Sequence, residues 1–137
     1  MHDSFVNLFT DGASRGNPGE AGAGIVLSDA DGVVLGRRKK FLGVCTNNEA
    51  EYRALVIGLE EALRKKCRRL HIHLDSELIV RQILGLYKIR SGNLIRLADE
   101  VKKLLSYFDA YTIEHISREK NAIADRLANE AIDEYRT

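Results

Sequence analysis

The 137 residues, 45% hydrophobic and 30% charged, suit one compact domain spanning 1–137 and leave no room for a second. Twenty-one Lys and Arg against twenty Asp and Glu leave a net charge of +1, which excludes a global field that pulls in nucleic acid or an anionic membrane. No apolar run approaches the roughly 20 residues of a membrane span, the N-terminus lacks a signal-peptide pattern, and Cys45 and Cys67 make neither a disulfide framework nor a CxxC site, so a cytoplasmic protein without membrane contact is expected.

Phe5 to Thr10 is rich in β-branched and aromatic residues and reads as a strand that stops at Asp11-Gly12, with Asp11 at its C-terminal end. The glycine-rich stretch to Gly19 reads as a turn around Asn17-Pro18-Gly19. It lacks the GxxxxGK[ST] pattern of a phosphate loop. Ala21 to Ser28 and Val33 to Phe41 flank the turn-rich Asp29-Ala30-Asp31-Gly32, which predicts an antiparallel hairpin. Asn48 to Lys66 is a helix with basic residues at its end, and Thr46-Asn47-Asn48 stands where a cap belongs. Leu70 to Asp75 alternates as a fourth strand that again closes on a carboxylate. Glu77 to about Leu84 and Asn93 to about Tyr107 are helical, Tyr111 to Ser117 is a fifth strand, and Asn121 to Tyr135 is a last helix with an apolar stripe from Ala124 to Tyr135. The order βββαβααβα predicts an α/β fold: a five-stranded mixed sheet, strands 1–3 antiparallel and strands 4 and 5 parallel to strand 1, flanked by helices.

Asp11, Glu51, Asp75 and Asp125 each fall at a strand end or on a helix that packs against the sheet, positions that can converge. Helical spacing separates Glu51, in line with Leu55, Gly58 and Ala62, from Glu49, which faces water. A carboxylate on the apolar side of a helix asks for a cation. Taken singly, the three aspartates have ordinary readings as surface, turn or helix-start acids. His71-Ile-His73 could set two imidazoles on one strand face, but the spacing is common and reads as two histidines packed under a helix.

Four ordered motifs, DGASRGNPG from Asp11, TNNEAEYRAL from Thr46, LDSELIVRQI from Leu74 and SREKNAIADRLANEA from Ser117, resemble the type 1 ribonuclease H family over nearly the whole chain. The resemblance implies a catalytic and metal-binding quartet of Asp11, Glu51, Asp75 and Asp125, two Mg²⁺ or Mn²⁺ ions, and cleavage of the RNA strand of RNA/DNA hybrids to a 3′-hydroxyl and a 5′-phosphate. It further implies that Asn17, Asn47 and Asn48 face the minor groove, and that Thr46 and Asn121 hold a DNA-strand phosphate. The stretch Ser117 to Asn121 is too short for the loop histidine of many relatives. His115 belongs to a strand, and Arg118 becomes the expected charged group at the cleft. Gly85 to Asn93 has no Trp and only Lys88 and Arg90, so the basic handle is missing. No N-terminal hybrid-binding module is expected either, Val44 stands where some relatives use arginine, and weaker substrate affinity follows. The basic runs Arg37–Lys40 and Arg64–Arg69 are read either as local backbone contacts or as solvated element ends. The expected protein is a monomer. The alternatives are a non-catalytic nucleic-acid-binding domain of the same fold, a nuclease that also cuts double-stranded RNA, and another nuclease of the superfamily.

Overall fold

The structure, a computed structural model, describes residues 4–137, so the first three residues of the expected 1–137 domain lie outside it. Strands β1 (Val6–Ser14), β2 (Gly19–Ser28), β3 (Val34–Cys45), β4 (Arg69–Leu74) and β5 (Ala110–His115) form one sheet in the order β3-β2-β1-β4-β5. β1 runs antiparallel to β2 and β2 to β3, whereas β4 is parallel to β1 and β5 to β4. Helices α1 (Asn47–Arg64), α2 (Glu77–Ile83), α3 (Gly92–Leu105) and α4 (Ala122–Arg136) complete the chain, with a 3-10 turn, Arg118–Asn121, leading into α4. The mixed sheet and element order match the expectation. Among the described residues no helix is long and apolar enough to cross a membrane.

Two strand ends differ from the sequence reading, for a shared reason. β1 does not stop at Thr10; it continues to Ser14, and Asp11 lies inside the strand opposite Gly24. Its parallel ladder with β4 does end early, at Phe9 opposite His73. Asp11 therefore sits past the end of one neighbour while still paired to the other. β3 likewise runs to Cys45 instead of Phe41, because β2 keeps pairing with it through Gly19 opposite Cys45. In both places a partner strand overrides a local turn signal. β5 is shorter than expected and ends at His115.

α1 packs on one face of the sheet. Ala50, Tyr52, Ala54, Leu55, Leu59 and Ala62 are fully buried against strand residues including Leu8, Leu70 and Ile72, with Ala98 and Val101 of α3 in the same core. α4 covers the other face across β1, β2 and β3 through Ala124, Ala128, Ala131 and Ile132. Two glycines set how closely these helices approach. A Cβ on Gly12 would lie 2.2 Å from the carbonyl carbon and oxygen of Ala50, and one on Gly24 would lie 2.0 Å from the Ala124 carbonyl oxygen. Both helices thus rest directly on the backbone of the strands that hold or face Asp11. The far half of α4 is tied down by Arg15 to Asp133 at 2.6 Å, by Arg136 Nε to Glu20 at 2.6 Å, and by stacking of Tyr135 on Phe41.

His71 and His73 are not packed under a helix. Each ring stacks on a β1 phenylalanine, His71 on Phe5 and His73 on Phe9, at centroid distances of 4.1 and 4.5 Å. Their nitrogens meet Thr112, Asn7 and Glu114 on the neighbouring strands. Alternation along β4 turns Leu70, Ile72 and Leu74 into the core and the histidines to the opposite face.

Candidate active site

Four elements deliver the carboxylates. Asp11 comes from the middle of the central strand, Glu51 from the second turn of α1, Asp75 from the residue after β4, and Asp125 from the first turn of α4. Carboxylate oxygens of Asp11, Glu51 and Asp75 all lie within 4.8 Å of one another. Asp125 completes the wall of the same cleft and is close enough to hydrogen-bond the Asp11 carboxyl. The cleft, about 570 Å³, is also lined by Ser14, Asn47, Asn48, Ser76, Arg118 and Asn129.

Local structure fixes each group. The main-chain N–H of Gly12 donates to Glu51 Oε1 at 2.8 Å, a bond that the close α1 contact at Gly12 makes possible. Ser76 caps α2 by accepting from Ile79 N–H at 3.3 Å, which stops β4 and turns the chain at Asp75. Asn129, one turn beyond Asp125, donates to the Asp125 main-chain carbonyl at 3.0 Å and receives a hydrogen bond from Arg15 at 3.3 Å.

Gathering these acids has an electrostatic cost. Burial, first of all, holds the Asp11 carboxyl far above the usual carboxylate range. Its hydrogen bond to Glu51 and the charges of Glu51 and Asp75 push the same way. Glu51 is raised too, again by burial, against the hydrogen bonds from Asp11 and Gly12 N–H and the nearby Arg118 charge, which favour its ionised form. Asp11 and Glu51 therefore both favour their protonated forms more than free carboxyls do. Three carboxylate oxygens converging within 4.8 Å in a cleft fit a hard divalent cation.

The expected substrate residues divide into two groups. Thr46 is the N-cap of α1. Its Oγ1 accepts from Glu49 N–H at 3.1 Å, and Glu49 Oε1 accepts from Thr46 N–H at 2.8 Å, a capping box that draws Glu49 back onto the helix end instead of into water. Asn17 Oδ1 accepts from Asn47 N–H at 3.1 Å, and Asn47 Oδ1 accepts from Ser14 N–H at 3.2 Å, so the β1–β2 turn is fastened to the start of α1. Asn48 lines both the acidic cleft and an adjoining cavity of about 310 Å³ formed by Asn17, Thr46, Glu49, Ser91, Asn93 and Leu94. Asn121 lies elsewhere: it is 1% exposed, and its Nδ2 donates to the Thr10 main-chain oxygen and to Asp75, while its buried Oδ1 has no hydrogen-bond partner. Asn93 also lines the cavity beside Thr46, and the sequence reading did not single it out. Its only signal was the Ser91-Gly92 start of α3, and its place beside Thr46 depends on how α3 packs on α1. Arg118 stands exposed at the cleft, while His115 closes β5 and does not line it.

Of the two basic runs, Arg38 and Arg64 pair with Glu61, Lys39 with Glu130 and Glu134, and Arg68 with Asp109. These contacts favour the reading of solvated element ends tied to the chain's own acids.

A family model described as reverse transcriptase-like matches residues 9–131. Ribonuclease HI of Halobacterium salinarum is 40% identical over 129 residues, 94% of this chain and 65% of that protein. The chain belongs to the ribonuclease H family. Within the ribonuclease H family, the crystal structure of RNase H1 from the same archaeon superposes with a TM-score of 0.93 over 94% of this chain and 98% of that one. LC11-RNase H1, solved in complex with RNA/DNA hybrid, is 38% identical with a TM-score of 0.91, over 96% of this chain and 99% of that one. A bifunctional protein of Mycobacterium tuberculosis is 42% identical over 93% of this chain, which spans 35% of that longer relative.

Proposed function

We propose that this chain is a single catalytic domain, an endonuclease that hydrolyses the RNA strand of RNA/DNA hybrids. The observation that carries the reading is the trio of Asp11, Glu51 and Asp75 oxygens within 4.8 Å, with Asp125 on the same cleft wall. These four residues would hold two Mg²⁺ or Mn²⁺ ions, which supply a water activated at neutral pH and neutralise charge at the scissile phosphate, leaving a 3′-hydroxyl and a 5′-phosphate. The chain's own residues do the rest. Gly12 N–H orients Glu51, and the Arg118 guanidinium, a donor without a basic lone pair, meets phosphate oxygens or the leaving group and takes no part as a base.

Substrate selection is assigned to the cavity next to the cleft. Asn17, Asn47 and Asn48 face the minor groove, where 2′-hydroxyls mark the RNA strand. Thr46 and Asn93, which both also hydrogen-bond Glu49, take the DNA-strand phosphate in place of Asn121. All four carboxylates come from one chain, which supports a working monomer. The two unpaired cysteines support a reducing, cytoplasmic setting. A binding module without catalysis is disfavoured, since clustered carboxylates beside phosphate only weaken binding.

The test is cleavage of a labelled hybrid in Mg²⁺ and in Mn²⁺, with double-stranded RNA and DNA-only duplexes as controls. Wild type should cut the RNA strand of the hybrid, and Asp11→Asn should lose at least about 10³-fold in rate while remaining folded. No cleavage by wild type with either ion refutes the enzyme reading. Equal cleavage of double-stranded RNA refutes hybrid selectivity, and preferential cutting of DNA-only duplexes points to another nuclease of the superfamily.

A further inference from the structure

Asn121 occupies the last position of the 3-10 turn before α4 and is 1% exposed. Its Nδ2 donates twice, to the main-chain oxygen of Thr10 at 2.9 Å and to Asp75 Oδ2 at 3.1 Å. Both partners are acceptors, so reversing the amide would set Oδ1 against two oxygens and lose both bonds. Thr10 is the residue before Asp11, Asp75 is itself one of the clustered acids, and Asn121 stands one helical turn before Asp125. One side chain therefore joins three of the four segments that carry the carboxylates.

The chemistry of the position narrows what can fill it. Two acceptors on different strands need two N–H groups on one short, neutral stem. Serine or threonine has one proton to give, aspartate has none when ionised, and an aliphatic residue would leave the buried Thr10 carbonyl without a partner. Asp75 has an oxygen within 4.8 Å of both the Asp11 and Glu51 oxygens, and the bond from Asn121 fixes the plane of its carboxylate.

We propose that Asn121 is a positioning residue for the metal-binding carboxylates. It fixes the Asp75 carboxylate and fastens the start of α4 to β1, so that Asp11, Asp75 and Asp125 arrive together, and it does so without touching nucleic acid. The inference rests on reading the cluster as a divalent-metal site. Residues that orient metal ligands typically alter affinity about 10–100-fold when removed.

The experiment uses the whole chain and Mn²⁺ alone as the probe, titrated by calorimetry or by the electron paramagnetic resonance of the free ion, with no nucleic acid present. Asn121→Ala should bind Mn²⁺ about 10–100-fold more weakly than wild type. Its affinity for hybrid in EDTA should stay within about twofold, and raised Mn²⁺ should restore much of its lost cleavage. Asn121→Ser, which keeps a small polar group in the buried position, serves if the alanine variant does not fold, and should show the same loss. Unchanged Mn²⁺ affinity overturns the proposal, and a fall in EDTA hybrid binding alone would return Asn121 to substrate contact. If wild type neither binds Mn²⁺ nor cuts hybrid, the metal-site reading fails as well. If wild type does both and the variants match it, only the positioning role fails.

Discussion

Asp11, at 6% exposure, is the least exposed of the four carboxylates, and this has a consequence for stability. In the unfolded chain Asp and Glu ionise near 4, whereas burial and mutual repulsion hold Asp11 and Glu51 protonated to higher pH in the fold. Between those limits the folded chain carries protons that the unfolded chain has released. The metal-free fold therefore loses stability as pH rises from about 4 through neutrality. Asp11→Asn removes much of that penalty: without metal, the variant should melt several degrees above wild type at pH 7, on the order of 1–2 kcal/mol. The gap should shrink toward pH 4, and calorimetry at both pH values checks it; a variant less stable at pH 7 contradicts the argument. Cations bind the ionised form, so Mg²⁺ affinity should rise with pH over the same window, as a titration at pH 6 and pH 8 would read. At this scale the sequence was informative where periodicity applies. Glu51 separates from Glu49 by helical spacing alone, although the capping role of Glu49 needed the Thr46 geometry. Periodicity has no purchase on asparagines at helix starts: packing between elements sets Asn93 beside Thr46 and turns Asn121 toward Thr10 and Asp75.

Among the elements, the helices and the mixed sheet could be read from residue order, whereas the true ends of β1 and β3 could not. Asp11-Gly12 carries a turn signal, yet β2 offers Gly24 and Ala23 opposite these residues, and the ladder continues. The glycines there serve approach. Gly12→Ala would drive a methyl group into the Ala50 carbonyl and lift α1, breaking the Gly12 to Glu51 bond. Gly24→Ala would do the same to α4 at Ala124. Each should cost about 1–3 kcal/mol by denaturant titration. Gly12→Ala should also reduce hybrid cleavage by more than its stability loss explains, because it displaces Glu51. Full activity in a folded Gly12→Ala variant would show that the α1 contact does not set the cleft.

For the whole molecule, the near balance of charge was readable from composition, but its distribution was not. Arg38, Lys39, Arg64 and Arg68 face the chain's own acids, and the proposed substrate groups Asn17, Thr46, Asn48 and Asn93 are neutral. Neutral contacts release no counterions, whereas each neutralised phosphate adds about 0.9 to the slope of log affinity against log salt for B-DNA. Hybrid binding should therefore be weak and only mildly salt-dependent, with a slope no steeper than about −3. Filter binding over a salt series measures it, and a steep slope or an affinity equal to that of a handle-bearing enzyme would require a basic face.

The acidic cleft draws on residue 11 near one end of the described chain and on residue 125 near the other. Such a site is completed late in the chain. A nascent chain still short of α4 lacks Asp125, the Asn121 bridge and the clamps to Arg15 and Phe41. During translation Asp125 and the Asn121 bridge join the cleft only when α4 has emerged from the ribosome, so the fourth carboxylate arrives last.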